Sequence, residues 1–148
     1  MLYALLMALF MTLLPACEKQ TTPCEYEIPA GYEGWVKIEF NVAGAPPLPV
    51  VAGKRLLKIS PAGRLQTSSR QEFGTVHWSF FSVDSSGKRN PLVDASRDPL
   101  TGPSAGSVRH PEPVVCGTIT GAADENGKHR QFEMFYVGRG PAGDPPAF

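Results

Sequence analysis

The chain has 148 residues, 14 basic and 14 acidic side chains, a formal net charge of zero and 42% hydrophobic residues, which is material for one domain of ordinary size. That length excludes a multidomain enzyme, and a single apolar stretch excludes a polytopic membrane protein. Scattered Lys and Arg leave no general footprint for nucleic acid, and 15 glycines with 15 prolines imply many turns without a collagen repeat.

Residues 1–16 carry no charge, and only Thr12 and Pro15 interrupt their apolar composition. Crossing a hydrocarbon core takes about 20 apolar residues, so Leu2–Leu14 suits the hydrophobic region of a secretory signal peptide better than a span. The run ends in Leu14-Pro15-Ala16-Cys17, which resembles the lipobox of bacterial lipoproteins. That resemblance implies cleavage before Cys17, a diacylglyceryl thioether on its sulfur, and acylation of the new amino end, with palmitate among the expected chains. Two or three acyl chains anchor stably, whereas one binds reversibly at about 0.8 kcal/mol per buried CH₂. Glu18, where an aspartate would signal inner-membrane retention, implies the outer membrane if the cell has one. Residues 17–23 read as a polar tether. An uncleaved signal anchor and a buried core helix are the plain alternatives for the leader.

Three cysteines are an odd number for an exported chain. With Cys17 taken by lipid, Cys24 and Cys116 remain as one candidate disulfide, worth about 4 kcal/mol in the chain-entropy model. The alternative is two small buried hydrophobes.

Residues 24–137 read as one β-domain. Cys24–Ile28 is a short strand, followed by a turn at Pro29-Ala30-Gly31. Over 35–42, Val36, Ile38, Phe40 and Val42 alternate with Trp35, Lys37, Glu39 and Asn41, the period of a half-buried strand. The prolines of 44–49 cannot continue a ladder, so an extended connection is expected with Leu48 at its tip. Further strands are expected over 54–59, 64–68 and 76–83. Residues 84–112, rich in Ser, Gly, Pro, Asp and Arg, read as a long mobile loop. Strands resume over 113–120 and 129–137 around an Asn126-Gly127 turn, and 138–148 reads as a flexible tail. Seven strands without a convincing amphipathic helix predict a small antiparallel β-sandwich, with a partly open barrel fitting the same pattern. Its expected core is Val36, Ile38, Phe40, Trp78, Phe80, Phe132, Met134 and Tyr136.

Three stretches in order, Ile28–Val36, Asn41–Pro49 and Gly63–Ser69 with Gly74 after it, resemble a family of bacterial secreted and lipoprotein domains catalogued as domain of unknown function 6843. The likeness covers about residues 27–83, and Phe135-Tyr136-Val137-Gly138 looks like the family's closing strand. It implies export and a compact domain but no activity; 84–112 looks particular to this protein. The cadence before Thr67-Ser68-Ser69 is also similar to prealbumin-type sandwiches, an analogy of fold alone.

Tyr32, Trp35, Pro46, Pro47 and Leu48 are candidates for an exposed aromatic and proline patch for a peptide or glycan, with local loop packing as the plainer reading. Thr67, Ser68 and Ser69 are expected to bond backbone at a strand end. His77, His110 and His129 share no metal-ligand spacing, and Asp84-Ser85-Ser86-Gly87 and Asp124-Glu125-Asn126-Gly127 read as turns rather than calcium loops. No serine lies at a strand-to-helix nucleophile elbow and no glycine-rich run opens a helix as a phosphate-binding loop does, so no catalytic residue, metal or cofactor is expected. The function expected is that of a lipid-anchored, non-catalytic envelope domain that contacts an envelope protein or polymer. A glycan or small-ligand module and a metal-dependent or hydrolytic enzyme are the alternatives.

Overall fold

A computed structural model describes residues 21–98, 106–125 and 128–146, with backbone alone over 123–125 and 128–129. The leader, Cys17, Glu18 and the Asn126-Gly127 turn lie outside the described residues. Nine strands occur among them: β1 Cys24–Pro29, β2 Gly34–Phe40, β3 Val50–Val51, β4 Lys54–Lys58, β5 Arg64–Gln66, β6 Trp78–Val83, β7 Arg89–Asp94, β8 Val114–Glu125 and β9 Lys128–Gly138. All join one sheet in the order β3-β4-β1-β6-β7-β8-β9-β2-β5.

The all-β class holds, but the seven-stranded antiparallel sandwich is corrected to one curled, mixed sheet. Strand β1 runs parallel to both β4 and β6, β2 parallel to β5, and β7 parallel to β8. The other ladders are antiparallel. Curling brings the two ends of the sheet face to face, so one half-barrel encloses what two separate sheets would. Two strands lie where connections were expected. The short β3 pairs with β4 across Ala52-Gly53, and β7 occupies part of 84–112, paired with β6. Between β6 and β7 the Asp84 carboxylate accepts from the Ser86 and Lys88 amides at 2.9 and 3.0 Å, the self-bonded turn its sequence predicts.

The core joins Tyr26 and Ile28 of β1, Leu57 of β4 and Phe80 of β6 to Val36, Ile38 and Phe40 of β2, Val115 of β8, and Phe135 and Val137 of β9. Trp78 is partly buried against it. On β9 the inward residues are therefore Phe135 and Val137. Phe132, Met134 and Tyr136, expected inside, point the other way, where Phe132 and Met134 are nevertheless buried. Aromatic rings knit the two halves: Tyr26 stacks on Phe80 at 4.7 Å, and Phe135 meets the two edge-on at 5.5 and 5.2 Å.

The turn between β4 and β5 depends on Gly63. Its φ is +71°, and a Cβ there would stand 1.9 Å from the Tyr32 hydroxyl and 2.9 Å from the Trp35 carbonyl oxygen. The same hydroxyl donates to that carbonyl at 2.6 Å. Gly63→Ala therefore adds left-handed strain and displaces this bond, for an expected loss of about 2 kcal/mol in urea denaturation. A loss below about 0.5 kcal/mol would show that Tyr32 moves aside freely.

Candidate functional site

A pocket of about 200 Å³ opens where β1, β4 and β9 meet the connection from β5 to β6. Its polar wall follows from strand parity. Cys24, Tyr26 and Ile28 alternate along the inner face of β1, and Arg55, Leu57 and Ile59 do the same at β4. On β9, Glu133 shares the inward parity of Phe135 and Val137, so its carboxyl projects into the concave side of the sheet. Gln71 comes from the connection, held by its amide donating to Gln131 Oε1 at 3.1 Å and its Nε2 donating to the Phe132 carbonyl at 3.3 Å. Phe40, Val76 and Trp78 supply apolar wall.

Arg55 is buried but well served. One guanidinium nitrogen donates to the Arg70 carbonyl at 2.8 Å, and another lies 3.4 Å from Glu72. Glu133 is only 4% exposed. Burial pushes its carboxyl up from the ordinary 4.5 to about 7, opposed by a hydrogen bond with Tyr26 and by the Arg55 charge. Burial likewise pushes the Cys24 thiol up to about 11, against the pull of Arg55 and reinforced by Glu133 and Glu72. A thiol in that range stays protonated near neutrality and is a poor nucleophile. Two oxygens, Glu133 Oε1 and Gln71 Oε1, are buried without a hydrogen-bond donor. The pocket therefore offers acceptors to a ligand rather than an activated nucleophile.

The amino-terminal end of the domain passes beside this pocket. Thr21 donates from its amide and hydroxyl to the Thr75 carbonyl at 3.3 and 2.8 Å, and the Thr22 amide donates to Glu72 Oε2 at 2.8 Å. The last part of the expected tether is thus bound to the connection from β5 to β6.

The five patch residues are not brought together. Tyr32 bonds back to Trp35, whose ring packs on Tyr136 at 5.9 Å and over Gly117, 3.3 Å from where a Cβ would stand. The Trp35 indole nitrogen donates to the Gly143 carbonyl at 2.9 Å, so the carboxyl-terminal segment lies alongside it. Pro46 and Pro47 are exposed near the opposite end of β2, and Leu48 is buried in the core instead of forming a tip. Thr67 and Ser69 bond backbone as expected: Thr67 Oγ1 donates to the Pro46 carbonyl at 2.9 Å, and the Leu48 amide donates to Ser69 Oγ at 2.9 Å.

The Cys24–Cys116 bridge is also corrected: both are buried free thiols. Cys24 faces the main core, whereas Cys116, next to inward Val115, faces a separate cluster with Ala95, Val114 and Tyr136. Opposite faces of a sheet cannot be spanned by one disulfide. His77 is exposed, and among the described residues no three His, Cys, Asp or Glu side chains are grouped to hold a metal ion.

Sequence reading passed over the pocket residues. A signal was present: Arg55 lies at the same period-two parity as Leu57 and Ile59, and Glu133 at that of Phe135 and Val137. A charged residue in phase with a core face is a candidate for a buried polar site.

Residues 20–144 match the model of a family described as a family of unknown function (DUF6843), a span that takes in 84–112 as well as the stretches expected to match. No curated protein matches the chain. Among solved structures it is similar to a Bacillus anthracis protein provisionally designated a lipoprotein, with 25% identity, a TM-score of 0.63, and coverage of 87% of this chain and 83% of that one.

Proposed function

The chain belongs to the family of unknown function DUF6843, and from that membership we propose that it is a lipid-anchored, non-catalytic domain of the cell envelope, held by an acylated Cys17 and contacting an envelope protein or polymer. Its likeness to a Bacillus anthracis protein provisionally designated a lipoprotein supports the anchor. The observation that carries the reading is the apolar leader ending in Leu14-Pro15-Ala16-Cys17, only four positions before Thr21 joins the folded domain. Four residues reach at most about 14 Å, so the anchored domain stands against the bilayer and meets partners close to the membrane. A protonated Cys24 beside unpartnered acceptors supports binding over covalent chemistry.

Mass spectrometry of the protein from its native membrane, with labelled palmitate, tests the anchor. The mature amino end is expected at an acylated Cys17, and Cys17→Ser is expected to abolish labelling and leave the leader uncleaved. An intact leader on the parent protein, or equal labelling of the variant, would overturn the reading.

A further inference from the structure

The pocket beside Thr21 contains two unmet demands of the same kind. Glu133 Oε1 and Gln71 Oε1 are both acceptors, both buried and both without a donor. An unpaired buried acceptor costs about 1–3 kcal/mol, so a ligand that brings donors recovers that cost. Charge narrows the choice. Arg55 is already matched by Glu72 and the Arg70 carbonyl, so an ionised Glu133 is the unmatched charge of the group. A monocation with at least two N–H donors satisfies both oxygens and that charge. Hard metal ions fit poorly, since calcium takes 6–8 oxygen ligands and magnesium about six, whereas two oxygens are free here. Phe40, Val76 and Trp78 then provide an apolar lining for whatever carries the cation.

We propose that this pocket binds a primary ammonium group on a short apolar stem, with Glu133 and Gln71 as its acceptors. The amine is either free in solution or the headgroup of an ethanolamine phospholipid. The titratable groups facing Glu133 are Tyr26 and Cys24 from β1, Arg55 from β4 and Glu72 from the connection. Of these, Glu133 is the one whose ionisation governs cation binding near neutral pH.

The test is an NMR titration of the full chain in detergent with propylammonium chloride, following the Gln71 and Glu133 amides. Phosphate buffer is required, because Tris is itself a primary amine. Saturable binding is expected, about tenfold tighter at pH 8 than at pH 6 because one proton must leave Glu133 first. Glu133→Gln is expected to weaken binding at least about tenfold and to remove the pH dependence. Gln71→Met, which leaves the carboxyl in place, is expected to weaken it about threefold or more and retain that dependence. Tetramethylammonium, which has no N–H, is expected not to compete. Absence of saturable binding, an equal response to tetramethylammonium, or unchanged binding in both variants would overturn the proposal. A parallel titration with short-chain phosphatidylethanolamine against phosphatidylcholine separates the sources: a Glu133-dependent response to the ethanolamine lipid assigns the headgroup, and none assigns the free amine. The readout is independent of Cys17 acylation, so its failure leaves the anchoring test untouched.

Discussion

Phe135→Ala is expected to lower the stability of the domain by about 3–5 kcal/mol and its Tm by about 10–15 °C. The ring is fully buried and sits edge-on to both Tyr26 and Phe80, so it joins β9 to two strands on the other half of the curled sheet. Truncation removes the transfer energy of the ring and leaves a cavity whose walls are hydrogen-bonded strands of the curled sheet. Such walls collapse poorly, which places the cost high in the usual range. Phe132→Ala makes the comparison informative. Its ring lies on the opposite face, against Gly121, whose Cβ would stand 2.8 Å from it, and outside the main core cluster. We expect about half the loss there. Urea denaturation and calorimetry of both variants decide the matter: a larger loss for Phe132 would reverse the inward and outward faces of β9.

Glu133→Gln is expected to stabilise the protein at pH 8 by about 3 kcal/mol and to leave stability unchanged near pH 4, because the carboxyl rises from 4.5 to about 7 on folding. An acid whose pKa is raised in the fold holds its proton in the folded state over a window where the unfolded chain has lost it. Its contribution is intact below 4.5, declines as pH climbs, and is fully lost once pH passes about 7. The amide side chain keeps the shape of the carboxyl but cannot ionise, so that decline disappears. Other groups titrate too: ion pairs with Lys54 and Arg89 hold the Glu25 carboxyl down, and burial holds Cys24 and Tyr26 up. Glu25 acts alike in both proteins, and Cys24 and Tyr26 keep their protons throughout pH 4 to 8, so the difference between parent and variant isolates Glu133. Parallel stability curves for the two proteins between pH 4 and 8 would show that the carboxyl is solvated and not buried.

Much of the local structure was legible because it depends on near neighbours. Val36, Ile38 and Phe40 alternate with charged residues, so β2 could be oriented as well as located. The Asp84 turn follows from one carboxylate reaching amides two and four residues ahead, and the Thr67 and Ser69 hydroxyls close their loop in the same short-range way. The candidate site was not legible in that sense. Arg55, Glu133 and Tyr26 lie on three strands; parity marks the first two as charges in phase with a possible core face, but no local pattern says that the three meet.

What the amino-acid order determined by itself was the all-β class, most strand positions, and the apolar leader ending at Cys17. These rest on composition and on a period of two, which are properties of a single segment. Tertiary structure alone decided which face of β9 looks inward, because Phe132, Met134 and Tyr136 on one side and Phe135 and Val137 on the other are both apolar sets. Alternation identifies residues that share a face; it does not say which face is covered. That choice is made by the partners across the curled sheet, and it places Glu133 among buried aromatics and Cys116 on the far side from Cys24.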